Sequence, residues 1–316
     1  MKKKFVRLIS VVLSAAMTLT AVPLSAFAEG EVQEHIHETA GNGSTVITEK
    51  LDFASKTTDE SGNGWSWKAD TKTLTLDNVD ISCAVTISGN EQSAGETAAV
   101  YVPDKTEIVL VGESTIEQTS ADKQAGYALY GEGSITFSGD GVLNIKNSAI
   151  TMPLSSAIYA VDSVIVNGGT VNTESIVYAE DTVEVHNTGV LKAKATKYSP
   201  SGAAVYAKNI TVDGNGTLTA VGCAIEDSSY SNAAIISTGS YMSNTGIFVK
   251  DNGNITVPAE NAAERGISGS GGGGVNPYVR ISGGKLSLYG TSFGLCNAVL
   301  NMSGTGSVYG DVPCYR

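Results

Sequence analysis

Any chemistry in this chain has to come from its carboxylates, a few cations and a recurring tyrosine. Acid-assisted hydrolysis of a polymer needs two carboxylates at a set separation, one to protonate the leaving oxygen and one to attack or to activate water. The pairs Asp77 with Asp80, Glu180 with Asp181, and Glu226 with Asp227 offer that residue type. No spacing singles one pair out, and each reads as solvated surface charge. Elimination needs a basic side chain beside an acidified carbon. Beyond the N-terminal leader the arginines are Arg265, Arg280 and Arg316, without a cluster, and Lys146, Lys208 and Lys250 are the lysine candidates. The histidines are His35, His37 and His186, and no Ser or Cys partner is positioned to make a nucleophile of any of them. No catalytic residue is assigned on these grounds.

The tyrosine is more informative. Tyr101, Tyr130, Tyr159, Tyr178 and Tyr206 each sit in one recurring phrase: a small residue, an aliphatic one, Tyr, then an apolar alternation and a glycine or asparagine turn. The copies are AAVYVPDKTEIVLVGESTI (98–116), YALYGEGSITFSGDGVLNI (127–145), SAIYAVDSVIVNGGTV (156–171), SIVYAEDTVEVHNTGVL (175–191) and AAVYAKNITVDGNGTL (203–218). TGIFVKDNGNITV (245–257) follows less cleanly, and YVRISGGKLSL (278–288) keeps only the second half. Strand parity groups Val100, Leu129, Ile158, Val177 and Val205 on one face and the tyrosines on the other. The aliphatic set is the expected interior, so the tyrosines are expected outside, stacked copy upon copy. An internal aromatic stack is the competing arrangement.

These copies must be carried by short strands. Each holds three alternating segments separated by Gly, Asn or Asp, and long helical patterns are missing. Tyr-to-Tyr steps of 29, 29, 19 and 28 residues imply loops of unequal length leaving turns whose strands stay in register. The expected fold is therefore all-β: a right-handed parallel β-helix (β-solenoid) of about seven or eight irregular coils. A leucine-rich repeat lacks its LxxLxLxxN phrase here, and an immunoglobulin-type sandwich would not repeat one phrase around a fixed Tyr. The 36 glycines suit tight corners, and the seven prolines are few because stacked strands use every N–H.

The ends read differently. Residues 1–28 have a basic start, an apolar stretch and a small-x-small ending at Ala26-Phe27-Ala28, which is the pattern of a signal peptide. Residues 29–48 read as a flexible leader, 49–98 as an N-terminal cap with the first strands, and 99–316 as coils. The cap carries GNGWSWKADTKTLTLDNVDI (62–81), which would shield strand edges at the open end. The GSGGGG run at 269–274 reads as a loop, not a phosphate cradle. No C-terminal hydrophobic tail or LPxTG-like signal is visible, and Pro313-Cys314-Tyr315-Arg316 carries no evident cap.

Charge narrows the partners. The chain has 20 basic and 32 acidic residues. Removal of the leader takes away Lys2, Lys3, Lys4 and Arg7, leaving 20 − 4 = 16 against 32, a net −16. Such a surface repels nucleic acid and anionic lipid. The expected protein is secreted or held at the cell surface, with no membrane insertion after signal cleavage. Cys83, Cys223, Cys296 and Cys314 permit two disulfides in an exported protein, with buried thiols as the alternative. No CxxC spacing supports structural zinc.

A row of aromatic rings at the ~4.8 Å coil repeat suits an extended polymer, because weak contacts add once the first is made. The expected ligand is an extracellular polysaccharide, with Tyr101, Tyr130, Tyr159, Tyr178 and Tyr206 as the carbohydrate-binding residues. The phrases GWSWKADTKTLTLDNVDI and SITFSGDGVLNI, with the IYVxD-like strand starts, resemble a group of secreted clostridial carbohydrate-binding proteins built as pectate-lyase-like β-helices. The likeness runs over most of 62–311 and lies in repeat texture. It implies binding of polysaccharide without established catalysis, and it brings in calcium as the one candidate ion, with no ligand set that maps onto this chain. Polygalacturonase-type hydrolases carry Asn-x-Asp, paired-Asp and Gly-His-Gly motifs, of which only Asn78-Val79-Asp80 is matched. Two other classes compete: a lyase or hydrolase of pectin-like polymers, and a surface adhesin or structural protein whose tyrosines are ordinary core.

Overall fold

The period-two alternation of the repeats is realised as three parallel sheets wound around one core. A computed structural model describes residues 37–39, 45–85, 97–119, 126–148, 156–225, 232–269 and 276–310. Each coil contributes one strand to a sheet bearing the tyrosines, one to a middle sheet and one to a third sheet, and the chain is a parallel β-solenoid. The tyrosine sheet has nine strands and the other two have 11 each. The described residues therefore form nine coils, where the repeats led us to expect about seven or eight. The last coils drop the tyrosine, so the phrase fades while the register continues.

One row shows how the core is made. In the tyrosine sheet Leu51, Val100, Leu129, Ile158, Val177, Val205, Ile235, Ile267 and Leu295 lie in consecutive register. All are buried. In the middle sheet Leu74, Ile108, Phe137, Val166, Val185, Val212, Val249 and Ile281 form a second such row, likewise buried. Stacked identical positions fill the interior with branched side chains that suit a pleated surface.

The small residue of the phrase has a structural reason. Ala99, Ala128, Ala157, Ala204 and Ala234 join the main core next to their aliphatic neighbours, so two successive residues face inward. Each adds a second inward residue beside Val, Leu or Ile, where a small side chain fits the packed core. The strand Ile176–Ala179 omits it, and the register slips between Ser156 and Ile158 to accommodate the change. That coil is also entered by the shortest connection, the single Ser175 between Thr170–Glu174 and Ile176–Ala179, which accounts for the 19-residue tyrosine step. Ser175 turns the corner at φ 126. Elsewhere the corner into the tyrosine sheet is closed by buried amides. Gln118 Nε2 donates to Thr97 O at 3.0 Å, and Asn147 Nδ2 donates to Gly126 O at 2.7 Å and Ser156 O at 2.9 Å. They satisfy carbonyls that no ladder reaches.

The N-terminal end carries the two extra strands of each long sheet. Glu60–Gly62, Trp65–Lys68 and Thr73–Asp77 form an antiparallel meander at the edge of the middle sheet. Thr45–Ile47 pairs parallel with Asp80–Cys83, and His37–Thr39 pairs antiparallel with Thr45–Ile47. These last strands fall inside the segment expected to be a flexible leader, so 37–39 and 45–47 are ordered sheet. Backbone pairing to the first coil is what orders them. Trp67 stacks on Phe53 at 4.9 Å and Trp65 meets Phe53 edge-on at 5.4 Å, all three buried over the first coil. Cys83, Cys223 and Cys296 are free thiols, and Cys314 lies outside the described residues. Among the described residues no helix is long and apolar enough to cross a membrane.

Candidate functional site

Registry places the five tyrosines in one column on the outside of the tyrosine sheet. Tyr101, Tyr130, Tyr159, Tyr178 and Tyr206 pair in that order, with Asp52 before them and Ile236 and Ser268 after them. The rings are half-buried and belong to the outer face, while their aliphatic neighbours are sealed in the core. TGIFVKDNGNITV does not continue the column. Phe248 lies in the middle sheet opposite Thr211, and Ile236 holds the position after Tyr206. The sequence phrase aligned the wrong strand of that coil because its tyrosine-sheet strand, Ala233–Ser237, carries no aromatic residue.

The rings stack on one another. Centroids are 5.3 Å apart for Tyr130–Tyr159, 4.9 Å for Tyr159–Tyr178 and 4.8 Å for Tyr178–Tyr206, with planes within 2°, 5° and 7° of parallel. Tyr101 meets Tyr130 edge-on at 5.5 Å. At such centroid distances parallel rings are offset, which is the favoured arrangement of their quadrupoles. Much of each face is consumed by its neighbours, so the ladder shows solvent chiefly ring edges and hydroxyls. The open platform of ring faces suggested by parity is not what the packing produces.

Tyr127 is a sixth ring that parity misses. Strict alternation would turn it inward with Leu129, yet Ala128 and Leu129 both face the core and Tyr127 joins the outer rings. There it packs against Tyr130 at 5.2 Å and Tyr159 at 5.1 Å and is almost fully buried. The second tyrosine in YALY is the only sequence sign of it. A satellite cluster of Ile176, Ala203, Ala233 and Ile236 supports Tyr178 and Tyr206 from the same side.

Carboxylates line the ladder. Tyr101 donates its hydroxyl to Glu132 at 2.5 Å and Tyr159 donates to Glu180 at 2.7 Å. Burial, then these hydrogen bonds, pushes both phenols well above their ordinary value, and burial raises Tyr127, Tyr130 and Tyr178. Tyr101, Tyr127, Tyr130, Tyr159 and Tyr178 therefore stay protonated at physiological pH. At the N-terminal end Lys50 pairs with Asp52 at 3.1 Å and sits 5.2 Å over the Tyr101 ring. The face thus offers a column of phenols with carboxylates at Glu132 and Glu180, a surface that exchanges hydrogen bonds with hydroxyl-rich ligands.

The catalytic candidates are dispersed. Asp77 accepts from Asn78, which occupies a left-handed turn at φ 54 and ties its own carbonyl oxygen to Glu113 N, so Asn78-Val79-Asp80 is a corner. Asp181 is held by Lys208 at 3.1 Å and by Thr182, and these partners keep its carboxyl below the usual range. Arg265 is half-buried and reaches Ser268 at 3.4 Å. His37 lies in the N-terminal strand pair; His35, Glu226, Asp227 and Arg316 lie outside the described residues. His186 is bracketed by Asp213 at 2.6 Å and Glu184 at 2.8 Å. Burial works against the imidazolium, but the two carboxylates outweigh it and raise the pKa above the ordinary value. Among the described residues no group of three or more His, Cys, Asp or Glu could hold a metal ion. Besides the Lys208–Asp181 pair, Lys250 and Arg280 line one groove with Glu184 on the middle sheet. Comparison with protein families, with characterised proteins and with solved structures finds no match to the chain.

Proposed function

We propose that this chain is a secreted or cell-surface binding protein that holds an extended extracellular polysaccharide along the tyrosine sheet, without cleaving it. The observation that supports this reading is the registered column of half-buried tyrosines flanked by Glu132 and Glu180. A polymer whose units repeat near the ~4.8 Å coil rise meets a phenol hydroxyl at each of the five successive coils that carry Tyr101, Tyr130, Tyr159, Tyr178 and Tyr206. One such contact contributes about 0.5–1.5 kcal/mol, short of the roughly 4 kcal/mol of a millimolar complex. Several in register reach it, because each later contact is intramolecular. The ligand lies against ring edges and hydroxyls, so hydrogen bonding carries more of the affinity than stacking does.

The test is electrophoresis of the chain without residues 1–28 through native gels that contain single polysaccharides. The expected result is retardation in at least one gel with the polymer left intact. Tyr159→Phe and Tyr178→Phe together should shorten the retardation while the far-ultraviolet dichroism stays unchanged. A zone cleared of polymer, or retardation indifferent to both substitutions, would defeat the proposal.

A further inference from the structure

The middle sheet holds a groove with a different chemistry. It is about 490 Å³ in volume and its lining includes Glu184, Asn209, Thr211, Phe248, Lys250 and Arg280. Register explains how residues so far apart in sequence meet: Glu184 pairs with Thr211, Thr211 with Phe248, and Phe248 with Arg280. Thr182 lies at one end and Ser303 at the other, so the groove runs along the solenoid axis across five successive coils. Four coil intervals span ~19 Å, the length of about four sugar units.

The groove carries two cations on a chain with an excess of acids. Acidic residues outnumber basic ones 32 to 20 in the chain, yet Lys250 and Arg280 are exposed in the groove without an ion pair among the described residues. The Lys250 ammonium is 5.8 Å over the Phe248 ring, which holds it at the groove wall. The carboxylate that could have neutralised them, Glu184, is instead engaged by His186, which also holds Asp213 away at 2.6 Å. The hydroxyls of Thr182, Thr211, Ser282 and Ser303 with the Asn209 amide supply neutral hydrogen-bonding partners around the two cations.

We infer that this groove is a binding site for a short anionic oligosaccharide, in which Arg280 and Lys250 take carboxylate or sulfate groups and the Thr, Ser and Asn side chains take sugar hydroxyls. Arg280 presents a planar fork matched to an oxyanion, and Lys250 adds a point charge beside it. The site stands apart from the tyrosine column and does not depend on it.

Calorimetric titration of the chain with a tetramer of galacturonic acid, its neutral methyl ester and a sulfated neutral tetramer tests the inference. At least one acidic tetramer should bind ~10-fold or more tightly than the neutral ester, and binding should weaken as salt rises. Arg280→Ala and Lys250→Ala should each lower the affinity ~10-fold while the melting temperature stays put, since both side chains are exposed. Tyr159→Phe should leave tetramer binding unchanged, which keeps failure of this site distinct from failure of the tyrosine face. Binding of neither acidic tetramer, equal binding of the ester, or indifference to both substitutions in the groove would overturn it.

Discussion

Replacing Tyr178 tests whether the ladder is a mutually supported stack. Tyr178 lies between Tyr159 and Tyr206, at 4.9 and 4.8 Å, and rests on the satellite cluster around Ile176 and Ile236. Tyr178→Ala removes two ring pairs, each about 0.5–1.5 kcal/mol beyond area burial. It also returns on the order of 60 Å² of ring surface to water, about 1.5 kcal/mol at 25 cal/mol per Å². The expected destabilisation is about 3 kcal/mol, near the upper end of ordinary single substitutions. Tyr178→Phe keeps ring, stack and burial, and should change stability by less than about 0.5 kcal/mol. Urea unfolding followed by far-ultraviolet dichroism reads both, with the slope checked for constancy because coils of a solenoid can part from one another. A cost below about 1 kcal/mol for Ala, or equal costs for Ala and Phe, would show that the rings do not support one another and that the reasoning from their geometry is wrong.

Three further outcomes are expected. His186 has a folded pKa above its unfolded value, so its contribution is complete below the unfolded pKa of about 6.5 and is lost as pH climbs through the higher folded value. The stability difference between the parent and His186→Gln, measured by urea unfolding from pH 5 to 9, should therefore shrink as pH rises; a difference that grows would contradict the bracketing by Glu184 and Asp213. Trp67 is buried against Phe53, and its indole N–H has no hydrogen-bond partner among the described residues. Trp67→Ala should cost about 3–5 kcal/mol, whereas Trp67→Phe should cost far less, because it leaves no unpaired donor behind; equal melting-temperature losses would refute this. Cys83 is buried and its thiol is raised by that burial. Mass spectrometry after iodoacetamide should find Cys83 alkylated only once the chain is unfolded.

Much of the solenoid was legible because period-two alternation and turn residues are local properties. The side chains at Val100, Leu129, Ile158, Val177 and Val205 declare a buried face whatever the neighbouring coil does. The unequal tyrosine steps likewise revealed that length varies only at corners. Coil number was not legible, since Ile236, Ser268 and Cys296 take the tyrosine position with side chains that carry no repeat signal. Nor was the pairing of Thr45–Ile47 with the first coil, because three residues of strand have no periodicity to read.

The sequence by itself determined which residues recur, that they alternate, and that Tyr101 to Tyr206 share one face, while an internal stack stayed open until the structure put that face outside. Tertiary structure alone decided how the rings meet, because stacking depends on the ~4.8 Å coil rise and on the successive inward residues Ala128 and Leu129, which leave Tyr127 among the outer rings. It likewise decided that Glu184, Thr211, Phe248 and Arg280 become neighbours. They come from four different coils, and only interstrand register, a property of the assembled sheet, places them side by side.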